Sequence, residues 1–580
     1  MEIESSSSHW TVLTFMVYLA GVFAIAAFAH RRSRGKSFLK EYYIGGRTLG
    51  SWTLAFTFAA TSASGGTYTG FPSLIYTYGW VLALWIAGYM VFPICSMGLL
   101  GKRLNQVARK SDAITFPDLF RDRFACPWLG VLVTLFLLFF LVVYLVGQFK
   151  AGGVLFQTLM TDFPTFEICK QLLEPAARGL PGVSAGYLAG LVFFALSVVL
   201  YTAFGGFRAV VLTDVMQGVI MVVGVTLLLP LTLYQAYVHL APVGDPRAVV
   251  AAAWTEEERY AGMEVRKNEA FRFSQLPEGL RKVNSHLQAT EPEALVAPGR
   301  KKSADEARSG GFEAFLPIGM AISFFFIWPI GGAGQAGNML RLMAFRDNKT
   351  LARAIFTVTI CYSLIYLPLV VTFVAAKTLP LHLEQSDQAM PAMSLFAAPP
   401  FLAGLLIAAP FAAVMSTVDS FLLMISSALV RDLYQHGFNP HVSERTIKRA
   451  SLATTLAVGF GVMLMAADPP RYLQDLLVFG SSSQAATFLI PMALALYWPR
   501  ANAAGTACSM FAGFLGVASL YLVGKLRTGE LQPWTPLDLH PFMWGLAASL
   551  VGGIVGTLLT PKPPQELVVK YFYRRHSNAR

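Results

Sequence analysis

Apolar residues in this chain gather into blocks of about 20, the length of helix that crosses a ~30 Å hydrocarbon layer. Thirteen such blocks can be read, at roughly 10–29, 50–77, 79–101, 127–158, 186–204, 210–240, 313–340, 352–376, 393–430, 450–467, 472–498, 503–524 and 540–560. The chain therefore reads as all-α, a polytopic membrane protein of about thirteen transmembrane helices. Composition agrees. Of 580 residues, 55% are apolar and only 13% charged, where ordinary globular proteins run near a quarter charged. Those values exclude a disordered chain and a nucleic-acid module, despite a net charge of +12.

The placement of the charges orients the chain. MEIESSSSHW at the N-terminus has no basic region, so the first block reads as a span rather than a cleaved signal. HRRSRGKSFLK follows it at once and is expected to stay cytoplasmic. An external N-terminus and an odd number of spans put the C-terminus inside. Of 45 Lys and Arg, 27 fall in segments assigned to the cytoplasm, 7 lie outside or near the outer ends of spans, and 11 lie in one long segment, 241–312. That segment is expected to be an extracellular, solvated loop with one or two short surface helices. The basic surplus is thus mostly a topology signal. The five cysteines are scattered, with only Cys169 external, so no structural disulfide is expected. No metal-hydrolase or phosphate-loop motif is present and His is sparse at 9. The chain reads as no enzyme, with no cofactor.

Two spans contain what a plain lipid-facing helix avoids. The second carries Ala60-Thr-Ser-Ala-Ser-Gly-Gly-Thr67, then Gly70-Phe-Pro72; the seventh carries Trp328-Pro-Ile-Gly-Gly-Ala-Gly-Gln335. Irregular backbone at membrane depth is tolerated only where protein buries it or a cavity is lined by it. Two interruptions five spans apart predict a transporter with inverted repeats and broken helices. In the ninth span, Ser416 and Ser420 share a helical face with Ala413 one turn earlier, and Thr417 and Asp419 lie among them. Such hydroxyls, with carbonyls freed by a broken helix, offer the hard oxygens that sodium needs. Lys150, Asp214 and Asp419 are the ionisable residues read within spans, and each is a functional candidate because a charge in hydrocarbon is costly.

At these residues the chain resembles the sodium:solute symporter family, and within it the bacterial pantothenate-carrying members. The likeness rests on Tyr201-Thr-Ala-Phe-Gly-Gly-Phe-Arg-Ala209 with Asp214-Val-Met-Gln-Gly218, and on Ala409-Pro-Phe-Ala-Ala-Val-Met-Ser-Thr417. Asp432-Leu-Tyr434, Tyr497-Trp-Pro-Arg-Ala-Asn-Ala503 and Leu539-His-Pro541 extend it, so that it runs from the first span to about residue 560. The resemblance implies a five-plus-five inverted-repeat, LeuT-like core and alternating access. It implies a sodium site made by the carbonyls of Ala60, Ala63 and Ala413 and the hydroxyls of Ser416 and Thr417. Asp214, Asp419 and Ser420 match positions of a second sodium or of the inward exit path. Tyr144 and Trp328 match aromatic positions lining the solute pocket, and Ser64 and Gly65 match its wall. Gln335 and Lys150 complete the candidate solute set. Two departures bear on specificity. The family's Gly-Gln-Pro-His run is Gly334-Gln335-Ala336-Gly337 here, followed by Arg341, and Ser62 stands where proline carriers have Asp.

The expected organisation is a peripheral helix and basic loop at 1–49, a first repeat at 50–240, the long loop at 241–312, a second repeat at 313–499, and two peripheral helices with a basic tail at 500–580. The expected activity is sodium-coupled import of a small organic acid or amino acid across the cell membrane. Na+ is the coupling ion and only metal, and the partners are the solute and the lipid bilayer. A proton-coupled carrier, a channel-like member of the fold and a transporter-like sensor stay open at this stage, as does the oligomeric state.

Overall fold

The computed structural model describes residues 9–32, 49–240, 271–295 and 317–573, apart from 162, 181, 382, 384, 469–472 and 530–531. The basic segment 33–48, most of 241–312 and the tail beyond 573 lie outside the described residues. Among the described residues the elements are helical, with one isolated β-bridge between Leu49 and Phe345.

Among the described residues, eleven helices are long and apolar enough to cross a membrane, or twelve with one bent pair counted as a span. The difference from thirteen has a local cause. The expected second span is broken into Ser51–Ser62, a π-turn at Gly66–Gly70 and Phe71–Tyr78. Its first half is too short to count alone. Its second half runs through a 3-10 turn at Gly79–Leu82 into the third span, and together they form the 46-residue segment Gly66–Ser111. Gly79 makes that corner with φ +80° and packs so closely that a Cβ would sit 2.5 Å from the Ala294 carbonyl.

The turn expected at 205–209 is helical instead. Ala185–His239 is continuous over 55 residues. A straight helix of that length would span about 80 Å, so its apolar halves, 185–203 and 209–239, count as two spans. The side chains of 204–208 lie outside the described residues.

Large apolar side chains stay exposed along the spans, among them Leu135, Phe356, Leu515 and Leu559. A soluble protein would cover them, whereas a hydrocarbon solvent makes them neutral. Helices in lipid gain close approach from small residues, and the terminal pair, Ala503–Thr528 and Pro541–Leu559, shows it: Gly516 lies against Gly545, Gly552 against Ala512, and the Ser509 and Ser549 hydroxyls meet at 2.9 Å.

The described part of the long segment is more than a solvated loop. Helix Leu276–Thr290 buries Gly279, Lys282, Val283 and Leu287. Lys282 donates to the Tyr237 carbonyl at 2.8 Å, and the Trp80 indole donates to Asn284 at 3.2 Å. Glu291 pairs with Lys377 at 2.8 Å. These contacts pin residues 272–295 across the end of the bundle opposite the basic loops.

Candidate functional site

The two interruptions meet. Ser51–Ser62 ends at Ala63, whose extended backbone (φ −82°, ψ 90°) turns its carbonyl off the helical ladder. The seventh span passes from Ile318–Phe326 through a π-turn at Ile327–Gly331 and a 3-10 turn at Gly332–Gly334 to an extended Gln335. It resumes at Ala336–Ala344 after a 51° bend. Ser62 donates to Asn338 Oδ1 at 2.8 Å, and Asn338 donates to the Gly332 carbonyl at 3.0 Å and to Gln335 Oε1 at 3.2 Å. Asn338 thus ties one break to the other. It follows Gln335 by one helical turn, a polar residue in a small-residue run, and that spacing was the available signal.

Helix Pro400–Ser427 crosses the first break with its hydroxyl face. The Ser416 hydroxyl is 2.9 Å from the Ala60 carbonyl and 3.0 Å from that of Ala413. Thr417 Oγ1 is 3.1 Å from the Ala413 carbonyl and 3.3 Å from that of Thr61. Ala60, Ala63, Ala413, Ser416 and Thr417 are all fully buried. The oxygens of Ala60, Ala413, Ser416 and Thr417 are therefore gathered within hydrogen-bond lengths, and the Thr61 carbonyl joins them. Neutral oxygens in this density fit a small hard cation of low charge and offer no soft ligand.

The residues expected at a second sodium position are brought together around a cation the chain supplies itself. Arg341, counted among the cytoplasmic charges from its place after an apolar run, is 1% exposed and lies inside the bundle. Its Nη2 is 3.1 Å from Asp214 Oδ2 and 2.7 Å from Ser420 Oγ. Its Nε donates to the Thr57 carbonyl at 3.1 Å, and Thr57 Oγ1 donates to Asp214 at 2.5 Å. Ser420 donates to Asp419 Oδ1 at 3.1 Å, and the Tyr201 hydroxyl donates to Asp419 Oδ2. Arg341 and Ser420 also line a small cleft that runs toward the basic end past Met424 and Thr115.

Among the solute candidates, Ser64, Gly65 and Tyr144 form one patch. The Ser64 and Tyr144 hydroxyls are 2.8 Å apart, and the Gly65 N–H donates to Gln148 Oε1 at 2.8 Å. A Cβ on Gly65 would lie 2.9 Å from both Ala151 Cβ and Gln148 Oε1. Gln148 is a residue that sequence reasoning passed over. Its Nε2 is buried without a hydrogen-bond partner, as is Trp328 Nε1. Trp328 stacks on Tyr89 with centroids 4.8 Å apart and meets Phe71 edge-on at 5.8 Å. Tyr366 stacks on the same Tyr89 and shares a 3.0 Å hydrogen bond with Thr67. An aromatic block thus covers the π-turn above the patch. Gln335 faces Asn338 rather than Tyr144. Lys150 lies about 9 Å farther along the helix than Tyr144 at ~1.5 Å per residue. It pairs with Asp387 at 3.1 Å.

At the basic end, Asp118 on helix Phe116–Phe124 is bound by Arg121 at 2.6 Å and Arg431 at 3.0 Å, and Thr115 donates to Asp432 at 2.8 Å. Burial raises the Asp118 carboxyl, but Arg431, Arg121 and His436 together bring it below the usual range. Asp118, Asp432 and His436 converge as three metal-type ligands, and the two guanidinium groups already supply the positive charge there.

The chain is similar to known proteins over most of its length. The Sodium:solute symporter family model matches residues 42–162, 180–243 and 272–513. The chain is 32% identical to the Sodium/pantothenate symporter of Escherichia coli (strain K12), covering 96% of this chain and 98% of that protein. It is 30% identical to the Sodium/pantothenate symporter of Haemophilus influenzae, covering 94% and 96%. The osmoregulated proline transporter of Bacillus subtilis is 25% identical, covering 95% of each chain. A Na+-coupled sialic acid symporter solved in a substrate-bound outward-open state shares the fold, with 17% identity, a TM-score of 0.62, and coverage of 97% of this chain and 100% of that one. Broken helices joined at mid-bundle and these matches together make the chain a multi-pass membrane transporter that couples solute movement to sodium: it belongs to the sodium:solute symporter family.

Proposed function

We propose that the protein imports a small organic carboxylate, pantothenate or a close analogue, through the cell membrane, with its basic loops in the cytoplasm. The coupling sodium binds between helices Ser51–Ser62 and Pro400–Ser427, on the carbonyls of Ala60, Ala63 and Ala413 and the hydroxyls of Ser416 and Thr417. The observation that carries this is the Ser416 hydroxyl bridging the Ala60 and Ala413 carbonyls across the first break. The two helices belong to opposite repeats, so an ion held by both joins elements that must separate when the inward path opens.

The solute sits against Ser64, Gly65, Tyr144 and Gln148, under the Trp328 block. Asp214, Asp419 and Ser420, held by Arg341 and Tyr201, line the inward exit; the cleft beside Arg341 and Ser420 supports that role. A tenfold inward sodium gradient supplies ~1.4 kcal/mol per ion and a −100 mV potential adds ~2.3. With one sodium per monovalent carboxylate the two charges cancel, so the potential does no net work and the sodium gradient alone sustains a solute gradient of about tenfold; each further sodium would add both terms. A melting-shift panel of pantothenate, proline, other carboxylates, amino acids and sugars, each with sodium and with potassium, tests the solute. Stabilisation by pantothenate that requires sodium is expected; sodium-linked stabilisation by proline but not by pantothenate overturns the assignment.

A further inference from the structure

Among the described residues, two ion pairs have both side chains less than one-tenth exposed: Arg341–Asp214 at the inward side, and Lys150–Asp387 at the opposite end. Lys150 belongs to helix Pro127–Met160 of the first repeat. Asp387 belongs to the 3-10 turn Ser386–Gln388 of the second repeat, which opens helix Ala389–Ala397. Ser73, on the second half of the broken second span, donates to Ser386 at 2.7 Å, so the same turn is fastened to the broken helix as well. Lys377, just before this segment, is fastened to the Thr77 carbonyl and to Glu291. The turn is therefore tied to the helix that also carries Tyr144, about 9 Å farther along it and on the side away from the basic loops.

We propose that Lys150 is an outer capture subsite for the carboxylate of an incoming anionic solute, and that Asp387 displaces that carboxylate and seals the path behind it. The proposal rests on the outward orientation and carboxylate solute put forward above. Burying a charge pair costs about as much as the pairing returns, so a Lys–Asp contact adds little to a permanently closed structure. It has a use where the two partners part and rehydrate. When the turn lifts, the Lys150 ammonium faces water on the wall of the mouth and attracts anions. When the solute has moved on to Ser64 and Tyr144, Asp387 returns to Lys150 and the charge is again neutralised in a dry setting. Asp387 thereby makes anion release from Lys150 and outer closure one step.

The test uses full-length protein, with pantothenate and panthenol, its uncharged alcohol, as uptake probes in proteoliposomes. Hydrogen–deuterium exchange over residues 386–397 reads outer closure. Lys150→Gln is expected to raise KM for pantothenate about tenfold or more and leave panthenol nearly unchanged. Asp387→Asn is expected to lower both KM and kcat for pantothenate, because capture is uncontested and sealing is lost. It should also speed exchange at 386–397 about tenfold, and the reversed pair Lys150→Asp with Asp387→Lys should restore slow exchange. Equal effects of Lys150→Gln on the two probes overturn the capture role. Unchanged exchange in Asp387→Asn, or no recovery in the reversed pair, overturns the latch. If the parent protein carries neither probe, the pantothenate assignment and the capture step fall together, and the exchange results alone decide the latch.

Discussion

Removing one oxygen from the proposed sodium site has an effect that can be worked out in advance. In Ser416→Ala the hydroxyl bridging the Ala60 and Ala413 carbonyls is lost while the helix and its packing stay. A hydrogen-bond-strength contact to a charged group contributes about 1.5–3 kcal/mol, so the apparent sodium affinity should fall roughly 10- to 150-fold. Without sodium the same change removes only a neutral hydrogen bond, and the protein should lose about 1 kcal/mol of stability. Ser426→Ala is the matched control. That residue lies on the same helix, is equally buried, and donates to the Ser451 carbonyl at 3.1 Å. It should lose similar stability with no change in sodium dependence. The assay is solute uptake into proteoliposomes as a function of external sodium, with melting curves in sodium and in potassium. A sodium half-saturation in Ser416→Ala that matches the parent, or that shifts no more than in Ser426→Ala, refutes the reasoning.

Other consequences follow from the same geometry. Gly65→Ala drives a methyl to within 2.9 Å of Ala151 and Gln148 and 3.2 Å of Val414; a strain of about 1–3 kcal/mol should leave folded protein with solute binding sharply weakened. Arg341→Gln leaves Asp214 as an uncompensated buried charge and should cost about 3–5 kcal/mol in melting experiments, with part of the loss recovered by adding Asp214→Asn. His540 caps helix Pro541–Leu559 by accepting the Phe542 N–H on Nδ1 at 3.2 Å, so His540→Ala should cost about 0.5–2 kcal/mol in melting experiments.

What the sequence made legible were the features that local chemistry decides. Apolar blocks marked the spans, small-residue runs at Ala60–Thr67 and Trp328–Gln335 marked the breaks, and helical spacing put Ser416 and Ser420 on one face. Partners supplied by distant segments stayed hidden. Arg341 follows an apolar run and precedes Arg346 and Lys349, so it read as the first charge of a cytoplasmic loop; only the fold shows Asp214, 127 positions earlier, waiting beside it. Lys150 read as a solute ligand because Asp387 is far away in the chain. The long loop read as solvated because its own residues are polar, while its docking depends on Trp80, Tyr237 and Lys377 elsewhere. The continuous helix through 204–208 replaced an expected turn because two glycines there permit a turn without requiring one.

The account rests on sodium bound between the first break and the ninth span driving solute movement. The most direct test is pantothenate flux in proteoliposomes under imposed sodium and proton gradients, for the parent and for Ser416→Ala with Thr417→Ala. Uptake by the parent should follow the sodium gradient and ignore the proton gradient, and the double variant should show no sodium-driven uptake. Undiminished sodium-driven uptake in that variant, or uptake by the parent driven equally well by protons, would contradict it.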